Sequence, residues 1–218
     1  MSSIIRRKKV LSDTERFIRS RFEAEGSGHD WWHIHRVRNL AIHLAQIEGG
    51  DLFIVEMAAL LHDLDDWKIS KNKDMEQTKA WLGQMEITGE QQEKIVSIIE
   101  EVSFKGAGVE TPTTSVEAAV VQDADRLDAI GAVGIARTFA YGGNKGRLLY
   151  APDEKPEMHA SFEAYKKTTA PTINHFYEKL LLLKDRMNTT SAKKMAEGRH
   201  QFMEKYLEQF FAEWEGKI

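Results

Sequence analysis

The chain has no cysteine. That excludes disulfides and thiolate metal sites, so any metal it holds must be bound through imidazole and carboxylate. No apolar run approaches the roughly 20 residues that a membrane span requires. The first residues, MSSIIRRKKVLSDTERF, are basic, but no apolar h-region follows them, so a secretory signal is not expected. Positive charge is not in excess: the formal net charge is −4, which gives no general reason to expect a nucleic acid polymer as partner. There is no convincing strand, internal repeat or low-complexity segment, and no GxxxxGK[ST] phosphate loop. The 218 residues are 42% hydrophobic and 29% charged, a globular composition with enough length for a substantial core. A reducing, cytoplasmic setting is the expectation.

What is present is mostly helical periodicity. Residues 12–25 read as a first helix, with Phe17, Ile18 and Phe22 near helical spacing and Gly26-Ser27-Gly28 ending it. Asp30 stands where an N-cap belongs, ahead of a helix over 31–47. On that helix Val37, Leu40, Ala41, Leu44 and Ala45 share one face, and His33 lies on it one turn before Val37. Asp51 caps a third helix running to Leu61, apolar enough to be largely buried, and His62-Asp63 follow at its C-terminal end. Further helices are expected over 74–84, 89–104 and 116–130, with 133–141 continuing the last after a bend at Gly131. Residues 142–147 read as a polar loop too rich in glycine for regular structure, extended by Pro152 and Pro156. Residues 159–186 and 191–214 read as a hairpin of two long amphipathic helices. The expected fold class is all-α: a single domain over 1–218, its core at about 28–152 and a C-terminal pair of long helices at about 159–215.

The chemistry turns on four candidates: His33, His62, Asp63 and Asp125. A hard or borderline divalent ion needs a few neutral imidazoles and ionised carboxylates converging on one point. Neighbours such as His62 and Asp63 diverge by about 100° on a helix. They can serve one ion only if it lies off the helix end, which suits their place beside Leu64-Asp65-Asp66. Mixed nitrogen and oxygen ligation leaves open positions for water and phosphate oxygens.

In order and context, these residues resemble the H…HD…D signature of the HD-domain metal-dependent phosphohydrolase superfamily. The segments HDWWHIHRV, ALLHDLDDWK, QDADRLDAIG and GGNKGRLLYAP are similar to one bacterial branch of small HD hydrolases that includes nucleotide pyrophosphohydrolase-like proteins. The resemblance covers roughly residues 28–152. It implies a helical core with His33, His62, Asp63 and Asp125 as ligands to one divalent ion. Manganese is the first choice; Mg2+, Fe2+, Ni2+, Co2+ and Zn2+ are the others. It selects Asp125, which precedes Arg126-Leu127, over Asp123 and Asp128, and leaves Asp128 a second-layer or substrate-positioning role.

In the related hydrolases of the alarmone ppGpp, an HDxxED motif places an acid four residues after the second histidine. Asp66 holds that position here and is the candidate for orienting water or for general acid/base work. The extra histidines of binuclear members are missing: a later helix reads Ile99-Glu100-Glu101-Val102-Ser103. A single ion is therefore expected, with a second held through Glu101 or Asp66 as the variant.

Phosphate substrates also call for cations. Among Arg36, Lys68, Lys105, Arg126, Arg137, Lys145 and Arg147, three stand out. Lys68 follows the acidic cluster, and Lys145 and Arg147 lie in the glycine-rich loop where backbone amides can approach an anion. The bland readings go to the rest. His43, His159, His175 and His200 are taken as structural and His35 as surface or packing. Trp31 and Trp32 are taken as core and rim, Asp65 as solvated, and Asp123 as solvated or structural. The resulting expectation is a metal-dependent hydrolase of small-molecule nucleotides, converting (d)NTPs to monophosphate and pyrophosphate, with oligomeric state open. The alternatives are a nucleotide phosphomonoesterase, a non-catalytic metal- and nucleotide-binding module, and a helical interaction protein.

Overall fold

A computed structural model describes residues 3–23, 30–65, 75–102, 109–158 and 168–218. Among these residues the fold is all-α, as expected, with no strand. The helices are α1 (Ser3–Phe22), α2 (Trp31–Glu48), α3 (Leu52–Leu61), α4 (Glu76–Leu82), α5 (Gly89–Val102), α6 (Val116–Asp128), α7 (Gly131–Asn144), α8 (Asn174–Glu178) and α9 (Thr190–Trp214). None of them is long and apolar enough to cross a membrane. The chain divides into two compact units. The first holds Met1–Phe104 and Thr111–Asp125, the second Lys105–Glu110 and Arg126–Ile218.

In the first unit α1 starts well before residue 12. Val10, Thr14, Ile18 and Phe22 are all buried, an i, i+4 stripe that extends the helix toward its N-terminus. The expected caps are in place. Asp30 Oδ1 accepts the His33 backbone N–H at 2.8 Å, and Asp51 Oδ1 accepts that of Phe53 at 2.9 Å, satisfying donors that the helix itself leaves open. Helix α3 is buried nearly all round and packs between α1, α2 and α5. Arg38 fastens α2 to both neighbours: Nε donates to Glu56 Oε1 at 2.8 Å and Nη1 lies 3.0 Å from Glu15 Oε2. Of the basic stretch at the start of α1, residues 6–9 are exposed.

Helix α4 is short and held from outside. Its Trp81 stacks on Phe17 of α1 with ring centroids 4.0 Å apart, and Trp81 Nε1 donates to Thr14 Oγ1 at 3.0 Å. The N-cap residue Met75 has φ 56° and no side-chain cap. The acceptor comes instead from Asp65, which takes the Thr78 N–H at 2.9 Å and the Gln77 N–H at 3.3 Å. Asp65, expected from sequence to be solvated, is instead a structural cap, because its carboxylate takes two open N–H groups at the start of α4.

The second unit departs more from expectation. Helix α7 runs on through Gly142 and Gly143 to Asn144, where a loop was expected. The cause is tertiary: a Cβ at Gly142 would lie 2.2 Å from Thr172 Oγ1, so glycine here allows close approach rather than irregularity. The following loop pairs with residues 168–173 through Thr172 N to Leu148 O at 2.8 Å and Ile173 N to Leu149 O at 3.0 Å.

The long helix expected over 159–186 lies partly outside the described residues. From 168 onward it is replaced by an extended piece, the short α8 and two 3-10 turns, Leu180–Leu182 and Lys184–Arg186. Pro171 lacks an N–H and disfavours helix in the residue before it. Leu180 and Leu183, both buried, repeat at the three-residue period of a 3-10 turn. The last helix matches its expected span, capped by Thr189 accepting from Ala192 N. It buries Ala192, Ala196, Met203 and Leu207 and packs on α7. Tyr206 stacks on Phe176 at 5.8 Å, and Tyr150 meets Trp214 edge-on at 5.2 Å.

A buried His, His, Asp cluster at the end of the third helix

The first unit brings His33, His62 and Asp63 together, with Asp125 beside the two imidazoles. Helix α2 contributes His33 from its first turn, whose backbone N–H the Asp30 cap holds. Helix α3 ends at Leu61 with His62 as its C-cap. The next residues form a turn, closed by Leu64 N donating to Leu61 O at 3.0 Å. This break lets His62 and Asp63 face the same place although they are adjacent in sequence. Asp125 comes from α6.

The donor atoms converge closely. His33 Nε2 lies 3.2 Å from His62 Nε2, 3.3 Å from Asp63 Oδ2 and 3.5 Å from Asp125 Oδ1. His62 Nε2 lies 3.5 Å from Asp63 Oδ1 and 3.9 Å from Asp125 Oδ1. Ligands held about 2.0–2.2 Å from one ion stand roughly 3–3.5 Å from each other, so the cluster has the dimensions of a coordination shell. His33, His62 and Asp63 are buried, while Asp125 is partly open, with 29% of its side chain exposed.

The donor chemistry fits a cation as well. His62 Nδ1 is 2.8 Å from the Ala59 carbonyl oxygen. A carbonyl only accepts, so Nδ1 carries the proton and Nε2 presents a lone pair toward His33. A backbone carbonyl on the far nitrogen is the usual way a ligating imidazole is oriented. Two imidazoles and two carboxylates crowded together, most of them out of water, are repulsive or costly to desolvate without a positive partner.

Of the other sequence candidates, Asp128, Lys145 and Arg147 belong to the second unit. Asp128 is buried and paired with Arg137 at 2.9 Å. Lys145 is exposed with its ammonium 5.6 Å from the centroid of the Tyr141 ring. The Arg147 guanidinium is 5.7 Å from the same ring and donates to Thr168 O at 2.7 Å. Glu101 accepts from Thr114 N at 2.8 Å and Thr114 Oγ1 at 2.7 Å. Asp123 is fully buried, which makes it structural rather than solvated. Asp66 and Lys68 lie outside the described residues, as do Lys105 and His159. What the sequence did not show is the role of Asp65. Its partners are twelve and thirteen positions away, and no local pattern marks such a pair.

A His, His, Asp cluster at the end of a buried helix could hold a divalent metal ion. The HD domain family model matches residues 31–130, a span that contains all four converging side chains. The chain belongs to the HD-domain metal-dependent phosphohydrolase superfamily. It is 40% identical over 205 residues to YpgQ of Bacillus subtilis, covering 92% of each. Among solved structures, a Lactobacillus plantarum protein superposes with a TM-score of 0.85 at 36% identity, over 99% of each chain. An HD-superfamily hydrolase from Bacillus thuringiensis gives 0.73 at 45% identity, over 96% of this chain and 98% of that one. A crystal of B. subtilis YpgQ in complex with ADP gives 0.73 at 40% identity, over 92% and 95%.

Proposed function

We propose that the protein is a metal-dependent nucleotide hydrolase that converts (d)NTPs to monophosphate and pyrophosphate, using one divalent ion with manganese as first choice. The observation that carries this reading is the buried cluster of His33, His62 and Asp63, with the Asp125 carboxylate 3.5 Å from His33 Nε2 and 3.9 Å from His62 Nε2. That a relative of the same fold crystallised with ADP supports a nucleotide as the ligand class. In the reaction, water adds to the α-phosphorus while the bond from that phosphorus to the bridging oxygen breaks, and pyrophosphate leaves.

A divalent ion bound by these four residues supplies Lewis acidity toward phosphate oxygens and lowers the pKa of bound water. The chain's own groups do the rest. The Ala59 carbonyl keeps the His62 proton on Nδ1, so Nε2 stays available. The buried setting of His33, His62 and Asp63 strengthens electrostatic interaction by keeping water away. Asp66 is assigned the orientation of the attacking water, and Lys68, Lys145 and Arg147 the neutralisation of phosphate charge. Asp128, tied to Arg137, acts in this reading as a positioning residue.

The test is a product assay. Metal-stripped protein, re-supplied with manganese, is incubated with NTPs, dNTPs, NMPs and ppGpp, and products are resolved by anion exchange with Asp63→Ala as control. Monophosphate plus pyrophosphate, absent in the variant, is the expected result. Nucleoside plus inorganic phosphate from monophosphates makes the protein a phosphomonoesterase and overturns the reading. Metal binding without turnover of any nucleotide overturns it in favour of a binding module.

A further inference from the structure

We propose that Asp65 and Gln77 are positioning residues of the metal centre: their reciprocal clasp fixes the turn on which Asp63 stands. The proposal rests on the metal-centre reading above.

Asp63 follows the end of α3 and its C-cap His62. Upstream, the turn is tied by Leu64 N to Leu61 O at 3.0 Å and by His62 Nδ1 to Ala59 O at 2.8 Å. Downstream, the turn is held from α4. The Asp65 carboxylate accepts the Gln77 and Thr78 N–H groups at 3.3 and 2.9 Å, two of the donors that the start of a helix leaves open. Gln77 returns the contact: its Nε2 donates to Leu64 O at 3.1 Å and to Asp65 Oδ1 at 3.3 Å. The peptide that follows Asp63 is thereby gripped from both sides, by its own chain and by a side chain from another helix.

The grip is only as firm as α4, and α4 is anchored. The Gln77 side-chain oxygen accepts from Arg21 of α1. Trp81 is stacked on Phe17 and bonded to Thr14, both also on α1. Helices α1 and α4 contribute no residue to the metal cluster, yet through Gln77 they set where Leu64, and with it Asp63, can sit. A carboxylate that swings away by a fraction of an ångström no longer completes a coordination shell. Residues that orient metal ligands in this way change metal affinity by about 10–100-fold, whereas loss of an ordinary helix cap costs about 1 kcal/mol of stability alone.

The experiment measures Mn2+ dissociation constants by titration calorimetry on folded full-length protein, with thermal unfolding of the metal-free proteins alongside. The variants are Asp65→Ala, Asp65→Asn, Gln77→Ala, the double Asp65→Ala/Gln77→Ala, and Asp63→Ala. Asp65→Ala and Gln77→Ala are expected to weaken Mn2+ binding about tenfold each, and the double variant little more than either, because both break one device. Asp65→Asn, which keeps an acceptor oxygen but not the charge, is expected to lose less than Asp65→Ala. Gln77→Ala alters no charge, so its effect cannot be electrostatic, and it stands in if Asp65→Ala does not fold. A Gln77→Ala affinity within twofold of wild type, whatever its melting temperature, overturns the proposal. So does an equal loss in Asp65→Asn and Asp65→Ala, which would mean that charge acts alone. If wild type binds no Mn2+, or Asp63→Ala binds it as tightly, the metal-centre reading itself fails.

Discussion

Glu117 holds the ammonium of Lys94 at 2.7 Å and, with the same oxygen, the backbone N–H of Asp51 at 3.1 Å. One buried carboxylate on α6 thus steadies the N-cap of α3, the helix whose C-cap is His62. Burial alone would raise the Glu117 pKa, but the hydrogen bond from Lys94, those from backbone amides and the Lys94 charge outweigh it and hold it below the ordinary 4.5. A carboxyl whose pKa is lower folded than unfolded stabilises the fold above its unfolded pKa. That stabilisation is lost as pH falls through the folded value. Glu117→Gln is expected to cost about 1 kcal/mol at pH 7, with Lys94 partly exposed and the pair discounted accordingly. In urea unfolding the gap between variant and wild type should close below pH 4.5. A gap that stays constant to pH 3 would contradict the assignment.

Metal should stabilise the first unit through mass action. Mn2+ at a hundredfold excess over its dissociation constant adds about 2.7 kcal/mol. The melting temperature of the protein should therefore rise with Mn2+ and fall with EDTA. Asp63→Ala and His62→Ala should abolish the rise. Calorimetric scans across a manganese series measure it directly.

Asp123 and Asp125 lie two residues apart and should respond in opposite ways. Asp123 is fully buried, whereas the Asp125 carboxylate is 3.5 Å from His33 Nε2. Asp125→Asn is expected to weaken Mn2+ binding at least tenfold with little change in metal-free stability. Asp123→Asn should lower stability by about 1–3 kcal/mol and leave the affinity of the folded protein near wild type. Titration and denaturant unfolding of the two variants, side by side, decide this.

Two adjacent glycines on α7 should also part ways. A Cβ on Gly142 would collide with Thr172, while one on Gly143 meets nothing within 4 Å. Gly142→Ala is expected to destabilise by about 1–3 kcal/mol through overpacking. Gly143→Ala is expected to stabilise by about 0.4–1 kcal/mol by restricting the unfolded chain. Melting temperatures of the pair test whether 142–143 is helical, as described, or a loop.

Where sequence and structure agree, the controlling forces are local. Asp30 and Asp51 are short acceptors ahead of apolar runs, and each takes a backbone N–H of the helix it precedes. The placement of His62-Asp63 at a helix end could be read from the apolar run before it. Where the two differ, a partner far along the chain decides. Gly142 stays helical because Thr172 packs against it. Residues 180–187 leave the α-helical period so that Leu180 and Leu183 can both be buried. Asp65 is a cap for a helix it does not precede directly. The cluster's spacing of 3.2 to 3.9 Å follows from how α2, α3 and α6 pack, which no local pattern encodes.

Helix α9 buries four residues in its 25, Ala192, Ala196, Met203 and Leu207, separated by steps of four, seven and four. Such a narrow seam makes the helix indifferent to most substitutions and intolerant of changes in length. One residue inserted between Ala196 and Met203 would rotate everything after it by about 100°, turning Met203 and Leu207 to water and polar neighbours inward. Seven inserted residues would restore the phase to within about 20°. Natural variation along this helix is therefore expected as exchanges of side chains, or as gains and losses of whole double turns, and not as single-residue gaps.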